Sequence, residues 1–230
     1  MHKKTQWSRQ ETIALIWIVA AMVIAIAVSL WRGFPFPIFT LIFLLPPLIK
    51  LLVTKDAKRI GMGSMAWQTY LKWTAINLGI LAAIYLIFEP LSGAYRFLVE
   101  EATQPTTQDP TFFWIPTFNS PTNWIGLVFY SGLVSLFAEE LCFRGWLLRG
   151  LTTKLGAGWA NIIQAAIFTL PQLVITFLMP NPLMSVVYGL IYSFVAIGLV
   201  NGMVANQSGN IWPNLTAAVV INFILTLFLI

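Results

Sequence analysis

The sequence predicts an all-α fold, a multi-pass transmembrane helical bundle of about seven spanning helices plus one or two interfacial helices. Three observations predict it. Of 230 residues, 58% are hydrophobic and only 9% are charged, with a mean hydropathy of +0.81. A soluble domain carries about 25% charged residues, so this chain has too little polar surface to cover a water-soluble globule. The charges are also unevenly placed, and no Asp, Glu, Lys or Arg follows Lys154. Finally, the apolar residues fall into runs close to the ~20 residues that a spanning helix needs. These observations exclude a soluble cytosolic enzyme, a nucleic-acid binder and a disordered tail. The net charge of +5 comes from cations in short loops between apolar runs, so membrane lipid, and not nucleic acid, is the expected partner. With Cys142 as its one cysteine, the chain has no intrachain disulfide framework.

Lys3, Lys4 and Arg9 precede the first expected span, Thr12–Trp31. That run is too long for a signal-peptide core, and no small-residue cleavage site precedes Arg32. The second span, Pro37–Val53, is short and contains Pro46-Pro47, which predicts a kink or a partly re-entrant path. Lys55, Asp56, Lys58 and Arg59 form a charged loop, and Gly61-Met62-Gly63 breaks the chain. Ser64–Lys72 alternates polar and aromatic residues and reads as interfacial, ahead of a third span over Trp73–Phe88. Glu89–Asn123 is the longest polar segment. Its first part, Leu91–Glu101, suits a surface helix, whereas Pro105, Pro110, Pro116 and Pro121 exclude a regular helix in the second. The fourth span runs from Trp124 past Glu139 and Glu140 to about Arg149. Gly156–Gly158 turns the chain into a fifth, Trp159–Met179, interrupted by Pro171. Asn181-Pro182 is a turn, and Leu183–Asn201 and Ile211–Ile230 are the last two spans.

The cations before span one, after span two and at the end of span four share one side if there are seven spans. The positive-inside rule makes that side cytoplasmic. An integral protein of the plasma (inner) membrane with a cytoplasmic N-terminus is therefore expected. The loop Glu89–Asn123 then faces outward, carrying four acids (Glu89, Glu100, Glu101 and Asp109) against Arg96 alone. No internal repeat or soluble domain is evident. A single integral-membrane domain is expected, with 1–123 holding the N-terminal spans and interfacial segments and 124–230 the core.

Chemistry is concentrated in Glu139-Glu140-Leu141-Cys142-Phe143-Arg144-Gly145. Ionisable groups inside an apolar helix are costly and normally functional or paired. Glu140 and Arg144 are four apart and share a helix face, with the acid N-terminal to the base. Glu139 is rotated by about 100° from Glu140, which leaves it as a buried carboxylate without a local counter-charge, suited to act as a general base. The competing reading is a Glu140–Arg144 bridge that locks the helix while Glu139 snorkels to the membrane surface. Asn161, Gln164, Asn201 and Asn206 read as interhelical hydrogen-bonding amides. Cys142 has no histidine nearby to activate it and reads as packing. Beyond the two glutamates these spans offer amides, so neither a metal nor another cofactor is expected.

The Glu-Glu-x-x-x-Arg block followed by Gly145 resembles the first motif of the CPBP family. That family contains CAAX prenyl endopeptidases and bacteriocin-processing or immunity (Abi) proteins. The resemblance covers roughly Trp124–Ile230. The family's second motif, Phe-x-x-x-His, corresponds to Phe168 and Gln172, with glutamine where the histidine belongs. The third, His-x-x-x-Asn or Asp, corresponds to Ala218 and Asn222, so the asparagine stays and the histidine is alanine. The one histidine of the chain is His2, and no realignment recovers either family histidine.

The resemblance implies that Glu139 is the base, that Glu140 and Arg144 support it, that Gln172 orients water and that Asn222 donates to an oxyanion. Phe168 is a further supporting residue. Gln172 cannot carry a proton near neutral pH, and Ala218 has no donor. A missing oxyanion donor costs about 10²–10³ in rate and a missing acid–base partner about 10²–10⁴. Two functions follow. One is an intramembrane endopeptidase acting on membrane-associated substrates, prenylated or bacteriocin-like, with weakened activity. The other is a catalytically inactive relative that binds a membrane peptide or protein in immunity or as a scaffold. A small transporter using the glutamate pair lacks repeats or paired broken helices.

Overall fold

A computed structural model describes residues 15–20, 23–24, 27, 43–97, 136–176 and 179–229. Most of the first expected span, the start of the second and fourth, and the polar segment beyond residue 97 lie outside these residues. Among the described residues every regular element is helical. The helices are α1 (Leu45–Thr54), α2 (Trp67–Ser92), α3 (136–155), α4 (157–176), α5 (Pro182–Ser208) and α6 (Trp212–Leu229). A 3₁₀ turn, Ala57–Ile60, joins α1 to the approach of α2.

Two helices, α2 and α5, are long and apolar enough to cross a membrane. Their outward faces show why they are not soluble core helices. Leu86 and Leu91 on α2 are 75% and 67% exposed, and Leu190 on α5 is 52% exposed. A band of exposed large aliphatics suits acyl chains, not water.

Several elements differ from the sequence expectation. Pro46 and Pro47 stand in the first turn of α1, where the missing N–H and fixed φ are harmless, so they start a helix instead of kinking one. At ten residues α1 is about 15 Å long, too short to cross alone. No interfacial break separates Ser64–Lys72 from the third span. The helix begins at Trp67 and continues to Ser92, because no breaker intervenes and the Tyr70 hydroxyl bonds Thr216 on α6 at 2.7 Å. It also passes Glu89 and Pro90, and the Glu89 side chain turns inward. Helix α4 runs through Pro171 to Thr176 without interruption. The turn at Gly156 is present, with φ 76° and ψ 163°, a backbone open to glycine. Asn181 caps α5, its Oδ1 accepting from the Met184 N–H at 2.9 Å, and Pro182 takes the first helical position.

Two stretches, Glu140–Leu147 in α3 and Val187–Val200 in α5, are wound as π-helix. Such wide turns concentrate at functional sites. They carry many of the polar side chains described below.

One buried cluster joins α3 and α4 through Phe143, Trp146, Leu147 and Phe168, with Ile18 from the helical residues 15–20. A second joins α2, α5 and α6 through Leu81, Tyr85, Tyr192, Ala196, Ala217 and Ile221. At the cationic end the loops are tied together through backbone carbonyls. Ile211 donates to the Gly61 carbonyl at 2.9 Å, Asn210 Nδ2 to the Gly63 carbonyl at 2.7 Å, and Arg149 to the Gly209 carbonyl at 2.5 Å. Gly145 faces the Ile60 carbonyl so closely that a Cβ would strike it. That approach explains a glycine after the Arg144 position.

Candidate active site

The two adjacent glutamates occupy different environments. Glu140 is 2% exposed and is the hub of a network drawn from α2, α3, α5 and α6. Its Oε1 accepts from Asn201 Nδ2 at 3.0 Å and lies 3.4 Å from Arg144 Nη1. Its Oε2 accepts from Asn214 Nδ2 at 3.1 Å. Asn77 Nδ2 then donates to both Asn201 Oδ1 and Asn214 Oδ1 at 3.0 Å, and Asn214 Nδ2 also reaches the Asn201 carbonyl at 2.7 Å. Arg144 is fully buried. One of its nitrogens donates to the Ile197 carbonyl, and its guanidinium lies 4.4 Å from the Phe168 ring centroid. Phe168 in turn meets Phe143 edge-on at 5.1 Å. A carboxylate with both oxygens hydrogen-bonded and a paired cation is the form in which charge survives burial. No reactant can approach it.

Glu139 is only half-buried, which corrects the expectation of a deeply buried carboxylate at that position. The residue sealed in the interior is its neighbour. Glu139 and Tyr95 are electrostatic neighbours of the Tyr188 phenol. Tyr188 donates to Gln172 Oε1 at 3.0 Å, and Tyr95 donates to Asn222 Oδ1 at 3.1 Å. Glu139, Gln172, Asn222, Tyr95 and Tyr188 are all half-buried, unlike the Glu140 network. Asn222 lies eight residues beyond Asn214 on α6, about 12 Å along the axis. The fold thus holds a sealed polar station and a separate, accessible one. Ala218 is 7% exposed and brings no polar group to either.

Glu89 forms a third polar centre. Its carboxylate accepts from the backbone N–H groups of Tyr95 and Arg96 at 3.0 and 2.8 Å and from the Tyr192 hydroxyl at 2.9 Å. It therefore holds the chain just after the Gly93 turn against α2 and carries Tyr95 toward Asn222. Tyr85 packs on Tyr192 and Tyr95, with ring centroids 4.4 and 5.7 Å apart.

The Rce1-like family model, described as type II CAAX prenyl endopeptidase Rce1-like, matches residues 121–224. The match spans less than half of the chain, and it makes that segment similar to the family whose motifs the sequence resembles. No curated protein and no solved structure matches the chain. Of the CPBP motif positions, Glu140, Arg144 and Phe168 meet in the sealed station. Glu139, Gln172 and Asn222 stand apart from it, and Gln172 and Asn222 each carry a tyrosine. Sequence reasoning missed Asn77, Asn214, Tyr95 and Tyr188. Asn77 and Asn214 were legible in principle as amides inside apolar runs. The tyrosines carried no such signal, because aromatic residues are ordinary in membrane helices.

Asn161 donates to the Leu199 carbonyl at 2.9 Å and Asn206 contacts Thr152 Oγ1 at 3.3 Å, so both bridge helices as expected. Gln164 does not. It is fully buried, and neither of its side-chain polar atoms has a hydrogen-bond partner among the described residues. Cys142 is fully buried within the α3–α4 cluster.

Proposed function

We propose that this chain is a multi-pass membrane endopeptidase of the CPBP type, in which Glu139 activates water against a peptide bond of a membrane-associated substrate. The observation that carries this reading is the division of labour between the paired glutamates. Glu140 is consumed by Asn201, Asn214 and Arg144, while Glu139 is accessible beside Tyr188 and its partner Gln172. In this mechanism Glu139 removes a proton from water as the water oxygen bonds to the carbonyl carbon. The same carboxyl returns the proton to the amide nitrogen as the C–N bond breaks. Prenylated and bacteriocin-like peptides are the substrate classes that the resemblance implies.

A second reading, a non-hydrolytic relative that binds a membrane peptide or protein as an immunity or scaffold protein, is favoured by Gln172 and Ala218. Neither can move a proton.

Purified chain in proteoliposomes, incubated with a panel of membrane-anchored peptides at several pH values, separates the two. The first reading expects cleavage that Glu139→Gln reduces at least 100-fold, on the order of a general base's contribution. Binding of those peptides with no cleavage, unaffected by Glu139→Gln, establishes the second.

A further inference from the structure

Gln172 and Asn222 are the two side-chain amides among the described residues that a tyrosine hydroxyl holds. Each is gripped by its carbonyl oxygen. Tyr188 holds Gln172 Oε1 at 3.0 Å, and Tyr95 holds Asn222 Oδ1 at 3.1 Å. A side-chain amide has its acceptor and its two donors on opposite branches, so fixing the oxygen fixes the direction of the NH₂ group. Neither Gln172 Nε2 nor Asn222 Nδ2 has a hydrogen-bond partner among the described residues. Both side chains are half-buried.

The two tyrosines are themselves braced. Tyr95 packs edge-on against Tyr85 at 5.7 Å and its N–H is held by Glu89 at 3.0 Å. Tyr188 lies in the π-wound part of α5, where the Ser193 hydroxyl bonds its carbonyl at 2.9 Å.

We infer that Tyr188 and Tyr95 are positioning residues that turn Gln172 and Asn222 into a pair of N–H donors for an acyl oxygen. This deepens the endopeptidase reading and rests on it for the identity of the group bound. Oriented amide donors match a carbonyl or the oxyanion that develops from it. A cation finds no ligand in two NH₂ groups, and an apolar chain gains nothing from them. The tyrosines thus compensate at these positions for donors that the replaced histidines do not supply. They take no part in proton transfer.

The test uses a peptidyl methyl ketone labelled with ¹³C at its carbonyl, a probe that cannot be hydrolysed. Bound to the full chain in detergent, the ketone C=O stretch shifts to lower frequency. Tyr188→Phe and Tyr95→Phe, which keep the rings, each reverse about half of that shift and weaken binding about tenfold, the equivalent of one hydrogen bond. Gln172→Glu keeps the side chain's shape and removes its donors, and it has the same effect as Tyr188→Phe even if that variant folds poorly. An unshifted ketone, absence of ketone binding, or a shift indifferent to all three substitutions overturns the inference. A tyrosine-dependent shift in a chain that cleaves no peptide retains the inference and removes the hydrolytic reading. Peptide cleavage with kcat unchanged in both phenylalanine variants does the reverse.

Discussion

At the scale of single residues, burial decides which glutamate reacts and which supports. Glu140 and Arg144 are 2% and 0% exposed. Removing one member of such a pair strands the other in the interior, which costs about 3–5 kcal/mol. Glu140→Ala and Arg144→Ala are therefore expected to destabilise the protein by that amount, read as a fall in thermal or denaturant midpoint in detergent, whereas Glu139→Gln leaves the midpoint nearly unchanged. Equal losses at residues 139 and 140 would contradict the division drawn here. The sequence made the Glu140–Arg144 pairing legible, because four-residue spacing puts both on one helix face. It did not reveal the Asn77–Asn201–Asn214 cage. Those amides are separated by up to 137 residues, and no local periodicity links side chains that far apart.

At the scale of elements, close backbone approach explains residues that chemistry alone does not. The Ile60 carbonyl occupies the space a side chain at position 145 would need. Gly145→Ala is expected to displace the 3₁₀ turn and destabilise the fold by about 1–3 kcal/mol, the usual cost of overpacking, again seen in the unfolding midpoint. An alanine variant as stable as the wild type would mean that the turn yields freely. Helix ends show where sequence signals were read well and badly. Gly156 and Asn181-Pro182 mark real boundaries, since positive φ and a side-chain cap are local requirements. Pro46-Pro47 and Pro171 suggested breaks that are absent. A proline in the first turn has no hydrogen bond to lose, and α4 tolerates Pro171 within a packed bundle. The π winding around Tyr188 left no trace in a run that is almost uniformly apolar.

At the scale of the whole molecule, the helical class and the lipid-facing character followed from composition. Among the described residues α2 and α5 are long and apolar enough to cross a membrane, α6 is apolar over a shorter length, and α3 and α4 mix polar residues into their apolar runs. The loops around Gly61, Arg149 and Gly209 are tied together at one end, and they bring Lys55, Lys58, Arg59 and Arg149 to the same side. By the positive-inside rule we propose that this end faces the cytoplasm. Accordingly, with Cys142 replaced by alanine, Gln207→Cys is expected to react with an impermeant maleimide only after permeabilisation, and Pro180→Cys in intact cells. Labelling of both from one side would refute this orientation.

The cage around Glu140 has a consequence for how the protein is made. Asn201 and Asn214 are translated well after Glu140, so α3 enters the bilayer with its carboxylate served by Arg144 and lacking those amides. Only when α6 docks does Oε2 acquire Asn214. The cage is thereby completed by α6, and a chain stopped before Asn214 leaves Oε2 without that amide donor.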